Sequence, residues 1–150
     1  QTLRQVFRSY PYDPATRLDW VEALLYQKQY AALLQALERE GPLTPSYEAL
    51  RLIALVDSGD WSSALHPLRT LSKTSSKLSP VLYYALADAI RQTGNSAECR
   101  RWYEKFLSKV VVPEGEAVWE PYRIAERVAE ARRYLAVFRQ EQSVNFSTPR

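Results

Sequence analysis

Apolar side chains recur at steps of three and four residues along most of the chain, with polar side chains between them. This spacing places the apolar residues on one side of an α-helix. In residues 92–107, QTGNSAECRRWYEKFL, a helix stop at Gly94 is followed at once by a second helical run. Asn95 is a candidate N-cap of that run, and Glu98 stands three residues later, as in a capping box. The pattern predicts an all-α protein built from helical hairpins.

The hairpin recurs. Pro14, Pro45 and Pro80 follow Asp, Thr and Ser, respectively. A capping side chain before proline is typical of a helix start, because the first turn leaves its N–H groups unpaired in any case. Second apolar-periodic runs occupy residues 30–40, 61–72 and 96–109. Between the two runs of each hairpin, at the same distance from the proline, stand Lys28, Gly59 and Gly94. Three hairpins of one internal layout indicate a repeat.

The chain resembles the tetratricopeptide repeat family, whose unit is a helix-turn-helix. The third hairpin carries the resemblance best, with residues of the family's size at its packing and turn positions: Tyr83, Leu86, Ala87, Ile90, Gly94, Cys99, Tyr103 and Phe106. In the first hairpin the matching residues are Trp20, Val21 and Leu24, whereas Lys28 replaces the turn glycine.

The second hairpin departs from the family pattern. Glu48 and Arg51 stand at positions that the family buries. We therefore expect the first helix of this hairpin to be rotated by about one residue, which buries a different set: Tyr47, Leu50, Ala54 and Leu55. Pro67 falls inside the second helix and is predicted to kink or split it, because it removes a backbone hydrogen bond.

The resemblance implies a right-handed α-solenoid of about three helix-turn-helix repeats with a C-terminal capping helix. The expected parts of this single domain are a lead-in helix (1–12), three repeats (14–44, 45–79 and 80–112), the capping helix (116–141) and a frayed tail (142–150). The lead-in helix would pack through Leu3, Val6, Phe7 and Tyr10.

The capping helix has an apolar stripe and a charged side. The stripe consists of Ile124, Val128, Ala131, Leu135 and Phe138. The side expected in solvent carries Arg123, Glu126, Arg127, Glu130 and Arg133. Such a helix covers the exposed end of a repeat array. The alternative is a helix that binds a partner or dimerises.

Composition gives little indication of catalysis. Cys99 is the sole cysteine and His66 the sole histidine, so no internal disulfide and no Cys/His metal cluster can form. The glycines are scattered and make no phosphate loop. We expect Cys99 to be buried and inert and His66 to be a partly exposed structural residue. We predict no catalytic residue, no cofactor and no metal, and therefore a protein that is not an enzyme.

The charge and hydropathy of the chain limit the kinds of partner that we expect it to bind. The net charge of +3 comes from mixed acidic and basic residues, which argues against a nucleic-acid partner. No apolar run approaches the roughly 18 residues of a membrane span, and no signal peptide is visible. We expect a soluble domain without membrane insertion, in a compartment that the sequence does not specify.

In the family that the chain resembles, the first helices of the repeats line a concave groove. The resemblance implies that a partner protein would contact this groove, through an extended or amphipathic peptide or a helix with hydrophobic anchors. The residues placed there, called the predicted groove, are Glu22, Tyr26, Asp57, Val81, Tyr84, Asp88, Arg91 and Gln92.

The acids of the predicted groove favour a basic peptide. A clamp for a chaperone's C-terminal carboxylate is not expected, because Leu18 and Glu22 replace its lysine and asparagine. The leading hypothesis is a protein-interaction scaffold or adaptor. The alternative is a solenoid segment of a larger assembly or homo-oligomer that docks through its ends and its C-terminal helix. A third hypothesis, binding of nucleic acid or glycan, is not favoured by the weak charge.

Overall fold

The structure, a computed structural model, describes residues 13–75, 77–112 and 120–147, with side chains as far as residue 140. It confirms the all-α prediction, since these residues form helices without a strand. The predicted lead-in helix, with Leu3, Val6, Phe7 and Tyr10, lies outside the described residues. The helices are α1 (Pro14–Tyr26), α2 (Tyr30–Glu38), α3 (Pro45–Asp57), α4 (Trp61–Thr74), α5 (Pro80–Thr93), α6 (Ser96–Lys109) and α7 (Ile124–Ser147).

The predicted helix starts are confirmed. Asp13 accepts a hydrogen bond from the N–H of Thr16 at 3.0 Å, and Thr44 accepts one from Tyr47 at 3.4 Å. Ser79 occupies the N-cap of α5, but its side chain makes no capping hydrogen bond. Asn95 caps α6 by accepting from the N–H of Glu98 at 3.1 Å. These caps satisfy backbone donors that the first helical turn leaves unpaired.

The turns of the three hairpins share one backbone feature. Lys28, Gly59 and Gly94 all have positive φ angles, of 59°, 96° and 85°. Glycine takes this left-handed conformation without a steric cost, whereas a residue with a Cβ does not. Lys28 therefore adopts the conformation of the glycine that it replaces.

The helices form two layers. Each helix packs against the next one along the chain, and α1, α3, α5 and α7 also contact one another in that order. Within the described part of the chain, α2, α4 and α6 make no such contacts with one another. Helix α5 lies at the centre, and its residues 81–87 are all buried. The core is continuous from α1 to α7.

The second hairpin follows the predicted rotation. Tyr47, Leu50, Ala54 and Leu55 are buried in α3. Glu48 and Arg51 form a surface ion pair with an N–O distance of 2.7 Å. Of the two outcomes predicted for Pro67, a kink or a split, the split does not occur, because α4 is one helix from Trp61 to Thr74 with Pro67 inside. The core contacts of Ala64 and Leu68, on either side of Pro67, favour a continuous helix over the lost hydrogen bond.

Helix α7 differs in extent from the predicted capping helix. It runs from Ile124 to Ser147, so residues 120–123 are not helical and residues 142–147 are helical rather than a frayed tail, while residues 116–119 and 148–150 lie outside the described residues. The predicted stripe is confirmed: Val128, Ala131 and Leu135 are buried, and Ile124 and Phe138 pack partly buried against the core. None of the helices described here is both long and apolar enough to span a membrane.

Candidate functional site

Part of the predicted groove is covered by the chain itself. Residues 120–127, called the crossing segment, lie against the C-terminal halves of α1 and α3 and against Tyr84 in the first half of α5. From there α7 continues against α5 and α6. The segment therefore touches all three hairpins, and it does so at the positions that the sequence analysis assigned to a partner.

Glu120 fixes the geometry of the crossing segment. Its Oε1 accepts the N–H of Tyr122 at 2.9 Å, and its Oε2 accepts the N–H of Ile124 at 2.7 Å. Arg123 between them has a left-handed φ of 53°. One carboxylate thus satisfies two backbone donors at the start of α7, where a negative charge is favoured by the helix dipole. The cap sets the direction in which Tyr122 and Arg123 project.

The first contacts are with α1. Burial raises the pKa of Tyr122, and the Glu22 carboxylate raises it further by its charge and a hydrogen bond. Arg123 donates a hydrogen bond from Nη2 to the carbonyl oxygen of Tyr26. The same guanidinium lies 4.7 Å from the centre of the Tyr26 ring, a distance typical of a cation–π contact. Two predicted groove residues, Glu22 and Tyr26, are therefore in contact with the crossing segment.

The deepest contact joins Arg127 to α3. Its two terminal nitrogens donate to the two carboxylate oxygens of Asp57 at 3.0 and 2.8 Å, and its Nε donates to the carbonyl of Tyr122 at 2.6 Å. The guanidinium also lies 5.3 Å from the centre of the Tyr84 ring. Burial alone would lower the pKa of Arg127, but Asp57 outweighs it and the pKa is raised. Arg127 therefore remains charged, and its guanidinium contacts Asp57, the Tyr122 carbonyl and the Tyr84 ring.

The expectation that Arg127 faces solvent is wrong. Only 7% of the residue is exposed, and it is the one buried charged residue among those that the structure describes. Sequence periodicity places it beside the buried Val128, at the edge of the apolar stripe, and charge alone assigned it to the solvent side. A bidentate carboxylate from a distant helix makes burial possible. No local pattern in the sequence indicates that partner.

A second network surrounds the C-terminal end of α5. The Tyr103 hydroxyl donates to Asp88 at 2.9 Å, and Arg91 donates to both Asp88 and Tyr103, at 3.0 and 3.2 Å. Burial raises the pKa of Tyr103, and Asp88 raises it further. The Arg91 guanidinium lies 4.4 Å from the Tyr134 ring of α7, which stacks on Tyr103 with a centroid distance of 5.4 Å. Asp88 and Arg91 are thus satisfied within the protein.

The remaining predicted groove residues differ in exposure. Val81 and Tyr84 are buried, with 3% and 6% of their surfaces exposed. Burial raises the pKa of Tyr84, and the charge of the nearby Asp88 raises this pKa further. Gln92 is exposed.

An open cavity of about 210 Å³ remains beside Arg127. Four carboxylates and three cations line it together with Tyr30, Val56 and Tyr84. The charged residues are Asp57, Asp88, Glu126, Glu130, Lys28, Arg123 and Arg127. Each of the four carboxylates forms an ion pair, with Arg127, Arg91, Arg123 or Arg133.

The described residues hold no group of three or more His, Cys, Asp or Glu side chains placed to bind a metal ion. Cys99 is buried, as predicted, and burial raises the pKa of its thiol to about 11. A thiol in that state is a poor nucleophile at neutral pH. His66 is exposed.

Comparisons with protein-family models, with curated proteins and with solved structures give no match to this chain.

Proposed function

We propose that this chain is a non-enzymatic protein-interaction scaffold, a right-handed α-solenoid of three tetratricopeptide-like hairpins with a C-terminal capping helix. Its predicted groove would recognise a peptide or helix of a partner protein that carries arginine and aromatic side chains. The observation that supports this proposal is the crossing segment, which lies on the groove through side chains of that chemistry. The protein's own segment thus serves as the template for the ligand.

The template gives a specific recognition pattern. A tyrosine faces Glu22, the next residue is an arginine over Tyr26, and a second arginine four residues later pairs with Asp57. Paired arginine–carboxylate contacts fix orientation as well as affinity. This pattern is consistent with the basic peptide expected from the acids of the groove.

A partner would compete with the crossing segment. In the closed protein the groove is already occupied, so the apparent affinity for an external peptide is reduced by the fraction of molecules that are open. A variant that weakens the crossing segment without touching the groove should therefore bind an external peptide more tightly.

The test uses the full chain with Arg123→Ala/Arg127→Ala and a labelled peptide of residues 120–138, measured by fluorescence anisotropy. We expect this opened variant to bind about tenfold more tightly than the unmodified chain. The matched control, Arg132→Ala/Arg139→Ala, removes two exposed arginines of α7 and should bind like the unmodified chain. Circular dichroism verifies that each variant is folded.

A peptide in which Arg123 and Arg127 are both glutamate should lose most of the binding. Equal affinity of the opened and control variants would contradict a groove of this specificity. If binding is confirmed, selection of a displayed peptide library on the opened variant would show which tyrosine and arginine spacing a natural partner carries.

A second candidate function is supported by the closed groove itself. A chain whose groove is filled internally can still act as a subunit of an assembly or homo-oligomer, through its ends and α7. Val111, Val112 and Val137 leave apolar surface exposed toward the C-terminal end, at 80%, 43% and 45%. Sedimentation over a range of concentrations would detect self-association, and a monomer throughout would exclude a homo-oligomer in that range.

A further inference from the structure

A second recess lies on the other layer of the molecule, between α4 and α6. Its volume is about 390 Å³, which is within the usual range of ligand pockets. We call it the outer pocket. It is lined by Arg69, Ser72 and Lys73 of α4 and by Glu98, Arg101, Trp102 and Lys105 of α6. These positions follow the three- and four-residue steps of one helix face, so the two rows oppose each other.

One ion pair joins the two walls. Arg69 donates from both terminal nitrogens to the carboxylate of Glu98, the longer bond measuring 3.2 Å. These hydrogen bonds from Arg69 are the largest influence on Glu98, and they lower the pKa of its carboxyl. Glu98, the acid of the pocket, is therefore ionised and paired with Arg69. The three remaining cations determine the charge that a ligand would meet.

Those cations are Lys73, Arg101 and Lys105. All three are exposed, and none forms an ion pair among the residues that the structure describes. Arg101 and Lys105 are held near the pocket by ring contacts, with their charged groups 5.2 and 5.7 Å from the Trp102 ring centre. Ring contacts reduce the motion of long side chains before a ligand arrives. The outer pocket thus presents a net positive charge, with Arg101 and Lys105 positioned by Trp102.

The aromatic side chains distinguish between two anionic partners. Single-stranded nucleic acid is bound by stacking bases on exposed rings. Trp102 is instead stacked on Tyr83, with centroids 5.9 Å apart and planes 9° apart, and Arg101 and Lys105 lie over these rings. The rings of Trp102 and Tyr83 therefore already contact each other and nearby side chains of this protein. A confined pocket with three cations, rather than a long basic stripe, suits carboxylate side chains of a peptide.

We infer that the outer pocket binds an acidic segment of a partner protein, with neighbouring carboxylates placed between Lys73, Arg101 and Lys105. This site is separate from the predicted groove and has the opposite charge preference. A partner could bind it while the crossing segment remains in place.

The experiment measures fluorescence anisotropy of labelled hexaglutamate with the full chain. We expect Arg101→Glu/Lys105→Glu to weaken binding about tenfold or more, because two of the three attractive charges become repulsive. The control is Arg132→Glu/Arg139→Glu on α7, which changes the net charge by the same amount at exposed positions. It should weaken binding less than about threefold, since long-range charge effects are screened by salt.

Single-site Lys73→Glu, on the other wall, should also weaken hexaglutamate binding. Equal weakening by the pocket and control variants, or no binding by the unmodified chain, would overturn the inference. So would tighter binding of hexathymidylate than of hexaglutamate with the same dependence on Arg101 and Lys105, which would assign the pocket to nucleic acid. Circular dichroism and Arg101→Gln/Lys105→Gln, which removes charge without adding repulsion, separate loss of binding from loss of folding.

Discussion

Loss of the ion pair between Arg127 and Asp57 should strongly lower the free energy of unfolding of this protein. Asp57→Ala would leave the guanidinium buried with one hydrogen bond, to the Tyr122 carbonyl, and the Tyr84 ring. Removing one partner of a buried pair costs about 3–5 kcal/mol. The side chains of Arg127 and Asp57 retain 9% and 15% exposure, so water can enter. We therefore expect the lower end, a loss of about 3 kcal/mol in unfolding free energy.

The assay is urea unfolding followed by circular dichroism, with a double-mutant cycle of Asp57→Ala and Arg127→Ala. The double variant should be less destabilised than the two single changes added together, with a coupling energy of about 2 kcal/mol. The control is Glu104→Ala, which breaks the exposed pair with Arg100 (N–O distance 3.0 Å) and should cost about 0.5 kcal/mol or less. A loss of unfolding free energy for Asp57→Ala no larger than that for Glu104→Ala would show that the Arg127–Asp57 pair is not a major contribution to stability.

Three substitutions and one labelling experiment test the local structure. Lys28→Gly should raise the unfolding free energy by about 0.5 kcal/mol, because relief of the left-handed strain exceeds the entropy that glycine adds to the unfolded chain. Gly94→Ala should lower it by about 1 kcal/mol through backbone strain alone, since an added Cβ would meet no atom within 4 Å; urea unfolding measures both. The lowered pKa of Glu98 stabilises the fold above the unfolded value near 4.5, and this stability is lost as the pH falls through the folded value. Glu98→Gln should reduce the loss of stability that urea titrations measure between about pH 6 and pH 3. Cys99, whose pKa is raised to about 11, should react with a thiol reagent at pH 8 only as fast as the protein opens, and quickly in urea; fast labelling of the folded chain would contradict its burial.

The hairpins could be predicted because their signals are local. A cap, a proline and a left-handed turn residue act within one or two helical turns, so the starts at Pro14, Pro45 and Pro80 follow directly from the sequence. The rotation of α3 was also predictable, since Glu48 and Arg51 can satisfy each other at three residues' distance. Pro67 shows the opposite case. A strong local signal for a helix break is overridden by packing on both sides.

The crossing segment could not be predicted in the same way. Its contacts join residues far apart in the chain, and the partner of Arg127 is Asp57, 70 positions earlier. Asp57 and Tyr84, both predicted groove residues, contact Arg127, but no periodicity shows that the chain returns to this face. The charge pattern places Arg127 in solvent, because the carboxylate of Asp57 comes close to it only in the folded structure.

The return of the chain from α6 to α1 also has a consequence for folding. In a linear array of hairpins each unit contacts its neighbours alone, and the ends can unfold independently. Here Arg123 bonds to Tyr26 across 97 positions of sequence, which closes the array into a loop. Loss of either end then removes contacts from the other, so the first and last hairpins should unfold in a single transition. Because such distant contacts require closure of a long chain, they should form late, and folding should be slower than for an open array of the same length.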